Sequence, residues 1–473
     1  MSYKKKALVI VPHQDDELIL VGPFWDKLQD EYEVFVAFTT NGDYDLKQET
    51  NGRLLEALSA LQELGVQDSH VIFMGYGDKW KGKHIYNASQ DEIKVSHCGR
   101  HETYALANHQ DFHYIKYGEH AAYTRKNFLS DMVSVIESIH PDAILCCDID
   151  EHPDHIATSL LFEEAVGMLM KKDEGYHPLV LKKFNYNGSW FGRSDYWLYK
   201  ETIMNAARSR FAPWGYELEN PAYSMEKALA VYSSRIQYTE DLKKSQLYKA
   251  SLKYKSQPLY LRLHKVMNYN SLFWERRTDN LAFYADIWAT SGNASALNDF
   301  KLLDCKDVNS GSAVGFCEYG WIPKPEDARK EIKVRFKNIV SIKKICLYEI
   351  ITQSSHVEDC VIKIKDKIFH TGSFRRDGIC NEIVFDKEIC NVESLSVSIE
   401  KYVGERPGLA EIEIFDKEET ESHLFAEQTE CPQYVRKPIK NLFFSVGLEI
   451  QYFFRFKAYF GARKAKNIIL HNI

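Results

Sequence analysis

The residues best suited to chemistry lie in Pro12-His13-Gln14-Asp15-Asp16-Glu17, an imidazole and three carboxylates directly after the apolar run Ala7-Leu8-Val9-Ile10-Val11. A second group, Glu151-His152-Pro153-Asp154-His155, follows the apolar run Ala143-Ile144-Leu145-Cys146-Cys147, whose exit is acidic at Asp148 and Asp150. Imidazoles and carboxylates are what a catalytic zinc site uses: three protein ligands, with a fourth position kept for water. His13, Asp16 and His155 could supply two imidazoles and one carboxylate. Water at such a centre has its pKa lowered to about 7, which makes a nucleophile at neutral pH. Asp15 and Asp16 are adjacent, so their side chains diverge; one can bind metal while the other faces the water as a base. His152 is then a candidate to stabilise an oxyanion or act as an acid, and Asp154 to orient a ligand imidazole. A two-His-one-carboxylate iron site is the main rival. The plain alternative is a pair of acidic loops serving as solvated turns or helix caps.

Both groups need elements that hold them together. A continuous apolar run bounded by Pro suits a buried parallel strand, and in open α/β sheets ligands bind at the carboxyl ends of the strands. Glu33–Thr39 reads as a second strand ending in the turn Thr40-Asn41-Gly42-Asp43. Leu54, Leu58, Leu61 and Leu64 have helical spacing, closed by Gly65 as a C-cap. Val71–Met74 is a third strand, and Asn127–Ile139 repeats the helical spacing before the strand at 143–147. Strands separated by helices predict a Rossmann-like parallel sheet with right-handed crossovers and helices on both faces, an α/β fold. Between Gly75 and Arg125 lies a long aperiodic stretch carrying His97, His101, His109, His113, His120, Tyr104, Tyr114 and Tyr117. As a group these residues suit the wall of a polar pocket for a sugar.

At 473 residues the chain exceeds a usual single core, and 45% hydrophobic with 27% charged residues is ordinary globular composition. The ten cysteines are expected to be reduced, because no export signal is evident and no Cys-x-x-Cys pair occurs. A cytoplasmic location is the matching expectation. The net charge of −7 is uneven: residues 435–473 hold eight cations against Glu449 alone, a balance of +7 that leaves −14 on residues 1–434. An acidic body argues against nucleic acid as partner. The basic, aromatic tail, with Phe443, Phe444, Tyr452, Phe453 and Phe454, could dock on the protein or lie on the inner face of an anionic membrane.

The motifs Pro12-His13-Gln14-Asp15-Asp16-Glu17 and His152-Pro153-Asp154-His155 resemble the signature of the LmbE-like, or PIG-L, family of zinc-dependent N-deacetylases. Supporting similarities are Thr40-Asn41-Gly42-Asp43, Arg53 and Glu56 before Leu64-Gly65-Val66, and Lys227-Ala228-Leu229 leading to Tyr232-Ser233-Ser234. Gln14 departs from the family, which usually has Pro there. The resemblance covers about residues 1–290. It implies that His13, Asp16 and His155 bind Zn2+, that Asp15 is the general base and that His152 supports the tetrahedral intermediate. It also implies that Arg53 reaches a substrate oxygen or phosphate, with Asp43 and His113 expected on the substrate side. The implied activity removes the acetyl group from an N-acetylglucosamine-type sugar in a glycan, glycolipid or other conjugate. The other class of function is a non-catalytic carbohydrate-binding or scaffold protein that keeps the pocket.

From about Ser291 the pattern changes. Gly292-Asn293-Ala294-Ser295 reads as a linker, and Glu331–Phe336, Ile345–Glu349 and Cys360–Ile364 alternate with period two, predicting a β-sandwich over 291–420 and a basic helical tail over 421–473. Gly408–Phe415 resembles the last strand of galactose-binding-like, or discoidin-like, domains. On that likeness Trp321, Lys401 and Arg406 are candidate sugar contacts.

Overall fold

The computed structural model describes residues 4–44, 52–150, 152–185, 229–232, 245–261, 270–310, 316–350, 352, 354–375, 380–425 and the tail positions 447, 450, 451 and 454. Lys227, Ala228, Ser233, Ser234 and most of the basic tail lie outside them. No helix among the described residues is long and apolar enough to cross a membrane.

The first layer runs β1 (Lys5–Val11), α1 (Asp16–Leu20), α2 (Trp25–Glu31), β2 (Tyr32–Thr40), α3 (Gly52–Glu63), β3 (Val71–Tyr76), α4 (Phe112–Tyr117), α5 (Arg125–Ile139), β4 (Ala143–Cys147), α6 (Pro153–Lys172) and β5 (Leu179–Lys183). It continues with β6 (Leu229–Tyr232), α7 (Gln246–Ser251) and β7 (Asn270–Arg276). The sheet order is β3-β2-β1-β4-β5-β7-β6. Strands β1 to β5 are parallel, and Ala7–Val11 and Ala143–Cys147 are buried throughout, as an apolar run covered on both faces requires. The sheet is mixed rather than wholly parallel, because β7 pairs antiparallel with β5 and with β6. Helix α3 ends where expected, at Gly65 with φ +85°. Helix α5 instead ends on His140, a non-glycine residue at φ +50°.

The second layer is antiparallel. It contains β8 (Asp286–Ala289), β11 (Glu331–Glu349), β12 (His356–Ile364), β13 (Lys367–His370), β14 (Asn381–Val403) and β15 (Leu409–Phe415), while β9 (Asp304–Cys305) and β10 (Phe316–Cys317) form a small separate pair. The two strands expected at 331–336 and 345–349 are one strand of 19 residues. Its register against β14 shifts between Arg335 and Lys344, and such bulges bend a strand. The bend lets both halves face one core: Ile332 and Val334 from one half meet Ile345 and Leu347 from the other, with Ile362, Val397, Ile412 and Ile414. A sheet folded over its own apolar face is a β-sandwich. It begins upstream of the expected boundary, since Ala282 and Ala285 already lie in this core and β8 pairs with β11. The expected linker is likewise part of the packing, with Ala294 and Leu297 buried. Trp321 is buried and its Nε1 donates to Ser291 O at 2.7 Å, so it is a core residue rather than a sugar contact.

Polar groups join the layers. Asn280 Nδ2 donates to Ile412 O at 3.1 Å, and Ile414 N donates to Asn280 Oδ1 at 2.8 Å. Beside them Arg276 pairs with Glu163 at 3.1 Å, and Lys182 bridges Glu163 at 2.6 Å and Asp148 at 2.8 Å. Glu411 on β15 is buried near this network, and among the described residues its Oε2 has no hydrogen-bond partner. Burial, with Asp299 nearby, raises its carboxyl well above the usual range. The unfolded chain therefore gives up this proton at lower pH than the folded one, and stability falls as pH rises above the ordinary glutamate range. Glu411→Gln is expected to raise the Tm at pH 8 by roughly 2–4 °C, with the gain fading toward pH 4 in thermal melts.

Candidate active and metal site

Strand β1 connects toward β2 and β3 on one side, whereas β4 connects toward β5 on the other. Their carboxyl ends therefore flank the point where strand order reverses, the usual ligand crevice of an open α/β sheet. The loop after β1 carries His13 to Asp15 and leads into α1 at Asp16. The loop after β4 carries Asp148, Asp150 and His152 and leads into α6 at Pro153, whose missing N–H and fixed φ suit a first helical position. His152 caps α6, its Nδ1 accepting from Asp154 N at 3.2 Å.

The two motifs meet. Asp16 Oδ2 lies 3.0 Å from His13 Nδ1 and 3.2 Å from His155 Nε2. His155 Nδ1 is 2.7 Å from Asp150 Oδ2, which leaves Nε2 to face Asp16. His13, His152 and His155 each offer a nitrogen within 4.8 Å of the others, and the His13 and His152 rings meet edge to face at 4.6 Å. A second convergence shares His13: its Nε2 is 3.4 Å from Asp154 Oδ2 and 3.9 Å from Asp78 Oδ2. Donors around a tetrahedral zinc at ~2.1 Å stand about 3.4 Å apart, close to the spacing of Asp16 from the two imidazoles.

The electrostatics also suit a cation. Burial opposes charge on His13, but hydrogen bonds to Asp154 and Asp16 and the field of Asp78 outweigh it and push the imidazole up to about 10. His155 is likewise raised, Asp150 and Asp16 overcoming its burial. The histidines thus carry the positive charge that a cluster of buried carboxylates demands, a role a divalent ion can take over. His152 goes the other way. Its burial and the neighbouring His13 cation lower its pKa well below the ordinary histidine range, so it is neutral near pH 7.

Asp15 is buried at φ +125°, a backbone conformation that only a fixed surrounding holds for a non-glycine residue. Glu17 Oε2 accepts from Asp15 N at 3.0 Å, and Tyr254 OH donates to the other Glu17 oxygen. Arg53 Nη2 donates to Gln14 O at 3.0 Å and lies 3.5 Å from Asp15 Oδ1, while Nη1 donates to Gly42 O at 3.1 Å. A Cβ at Gly42, whose φ is +59°, would stand 2.5 Å from the Arg53 guanidinium, so a larger residue there would push Arg53 out of its place beside Asp15. Gln14 Nε2 donates to Thr40 O at 2.7 Å and so ties the loop to β2.

Of the residues expected on the substrate side, Arg53 therefore braces Asp15. Asp43 is buried with both oxygens engaged: Oδ1 accepts from Asp78 N at 2.7 Å, and Oδ2 accepts from Cys98 Sγ at 2.7 Å and Tyr104 OH at 2.9 Å. His113 is not brought to the cluster; it sits on α4 with Nδ1 2.7 Å from Asp131 Oδ1 on α5. His109 and His120 are similarly tied to Val71 O and Asp111. The long segment after β3 thus uses many of its histidines to anchor itself, since acids and carbonyls lie within reach.

That segment supplies two residues that sequence reasoning missed, Asp78 and His84. His84 Nδ1 accepts from Tyr86 N at 3.1 Å, so Nε2 carries the proton and donates to Asp154 Oδ1 at 2.9 Å. Asp154 is therefore held from behind while its other oxygen faces His13. The aperiodic stretch around His84, between Lys83 and Ile85, gave no sign of this. His84→Ala is expected to weaken metal binding about 10–100-fold, the usual cost of losing a supporting partner, as read by competition with a chromogenic chelator.

Fold and site together define an α/β protein with a buried His/Asp cluster at its switch point, joined to a β-sandwich. Residues 8–166 match the model of the family described as PIG-L: GlcNAc-PI de-N-acetylase, and this part of the chain is a PIG-L (LmbE-like) domain. Among solved structures, a deacetylase from the biosynthesis pathway of teicoplanin is 18% identical, covering 58% of this chain and 99% of that one, with a TM-score of 0.33. An N,N'-diacetylchitobiose deacetylase from Pyrococcus horikoshii is 21% identical over 36% of this chain and 52% of its own, with a TM-score of 0.24. A family 32 carbohydrate-binding module from C. perfringens NanJ, in complex with galactose, is 16% identical over 28% of this chain and 95% of that one, with a TM-score of 0.22. No curated protein matches the chain.

Proposed function

We propose that the protein is a zinc-dependent hydrolase that removes the N-acetyl group from an N-acetylglucosamine-type sugar. The observation that carries this reading is the convergence of His13, Asp16 and His155, from two remote loops, beside a second buried carboxylate, Asp15. Membership of residues 8–166 in the PIG-L family model supports the reaction class.

In this reading His13, Asp16 and His155 hold the ion, and Asp150, Asn185 and Asp154 hold the ligands. Asn185 Nδ2 donates to Asp16 O at 3.1 Å, and its N–H donates to Asp150 Oδ2 at 3.2 Å. Two imidazoles facing one carboxylate favour this set over His13 with Asp78 and Asp154, where one imidazole meets two carboxylates. When bound, zinc lowers the pKa of water enough to make a nucleophile at neutral pH. Asp15, oriented by Arg53 and by the Glu17 bond to its backbone, accepts the proton from the attacking water and returns it to the leaving amine nitrogen. His152, neutral with Nδ1 occupied by the Asp154 N–H, carries its remaining proton on Nε2. It donates that hydrogen bond to the acetyl oxygen as negative charge develops there. The proposed division of the chain keeps the expected order, a catalytic domain, a sandwich and the tail over 421–473, with the first boundary moved upstream of 290 because Ala282, Ala285 and β8 already belong to the sandwich.

Acetate release from a panel of N-acetylglucosamine conjugates, with metal-loaded full-length protein, tests the reading. Release from at least one conjugate is expected. Binding of the same sugars with no release from any would return the protein to the carbohydrate-binding class.

A further inference from the structure

The interior of the site is acidic, but its rim beyond Asp78 is not. Bridge pairing of Trp80 with Ser96, together with Lys81 N to Val95 O at 3.0 Å and His97 N to Lys79 O at 2.9 Å, makes a short ribbon. Its inner residues, Asp78 and the following His84, reach the His13 and Asp154 cluster. Its outer residues Lys79, Lys81 and Lys83 are exposed, as are His97 and Arg100. Among the described residues no carboxylate lies within ion-pair distance of Lys79, Lys81, Lys83 or Arg100, although the chain as a whole is acidic.

Aromatic rings order two of these cations. Lys79 Nζ stands 3.8 Å from the centroid of the half-exposed Tyr44, onto which His97 also packs at 5.4 Å. The Arg100 guanidinium is 3.8 Å from the Tyr104 ring. Tyr104 OH donates to Asp43, the residue before Tyr44, and Asp43 accepts from the N–H of Asp78, the residue before Lys79. Asp43 is thus the hub that sets both cations beside the cluster. Lys79 is held at φ +65°, a left-handed conformation that persists in a lysine only where the surroundings impose it.

We propose that Tyr44, Lys79, His97 and Arg100 form a subsite for a negatively charged group, a carboxylate or a phosphate ester, on the substrate unit adjoining the N-acetylated sugar. This rests on the amino-sugar reading of the catalytic site and narrows it to anionic glycans or phosphorylated sugar conjugates. The exposed part of Tyr44 adds apolar surface beside the cations, while Lys79 and Arg100 supply charge-assisted hydrogen bonds. Without such cations an anionic substrate would be repelled by Asp43 and Asp78.

The test is equilibrium binding to the zinc-loaded full-length Asp15→Asn protein, whose turnover is expected to be too slow to consume the probes during the measurement. The probes are neutral N,N'-diacetylchitobiose, a tetrasaccharide alternating hexuronate with N-acetylglucosamine, and N-acetylglucosamine 1-phosphate. At low salt at least one anionic probe is expected to bind about tenfold tighter than the neutral one, and which one does so identifies the carboxylate or the phosphate. The ratio of anionic to neutral affinity should collapse in Lys79→Ala, persist in Lys79→Arg and shrink as salt rises. A preference that survives Lys79→Ala, or no preference at all, overturns the subsite. Acetate release from chitobiose by the protein with Asp15 intact, with no anion preference, sinks the subsite alone. Lys79-dependent binding of the anionic probes without deacetylation of any sugar sinks the catalytic reading alone. No binding of any probe sinks both.

Discussion

Asp15→Asn is expected to cut acetate release by about a thousandfold, within the range usual for loss of a general base, while leaving metal content unchanged. Asparagine keeps the size of the side chain and leaves the backbone of this position, at φ +125°, in the hands of the same neighbours. It also keeps an oxygen for the Arg53 guanidinium, which lies 3.5 Å from Asp15 Oδ1. What it cannot do is accept a proton from water. Turnover at the wild-type rate, measured by coupled acetate assay with metal content checked on the same sample, would remove Asp15 from the proposed role. A parallel loss of metal would make it a ligand instead.

The second large effect concerns the ion. His155→Ala should lower zinc affinity by more than about a hundredfold, because even supporting partners of metal ligands are worth 10–100-fold. The comparison of Asp16→Asn with Asp78→Asn then separates the two convergences on His13. Asp16→Asn is expected to purify metal-free, whereas Asp78→Asn should retain close to wild-type metal content, both read by elemental analysis of folded protein. The reverse result would move the ion to His13, Asp78 and Asp154. The expectation follows from donor type: Asp16 faces both imidazoles, whereas the other set joins one imidazole to two carboxylates. Chelation of the wild-type protein should abolish acetate release, and added zinc should restore it.

Much of the first layer was readable because its signals are local. Five consecutive buried residues in β1 and in β4 leave an apolar run that no exposed element would carry, and the acids at their ends announce themselves by type. The leucine spacing of α3 and the glycine after it are similarly direct. The bend in β11 was not readable as one strand, because its middle, from Lys337 to Ile339, exposes residues of mixed type and interrupts the alternation. The antiparallel edge made by β6 and β7 depends on pairing partners far apart in the chain, which no window of sequence contains.

The site divides in the same way. The amino-acid sequence by itself determined which side chains could bind a divalent ion and where each sits on its strand or helix. It did so because a strand that ends in His and Asp, followed by a helix, leaves those groups at one rim whatever the rest of the chain does. Only the tertiary structure decided that His84 stands behind Asp154, that Arg53 grips Asp15, that Asp43 is occupied by Cys98 and Tyr104, and that His113 pairs with Asp131 on α5 rather than joining the cluster. These are choices among equally plausible partners for buried polar groups. They are settled by which donor and acceptor come within 3.5 Å once the sheet and the long loop after β3 have packed, a distance that spacing along the chain does not encode.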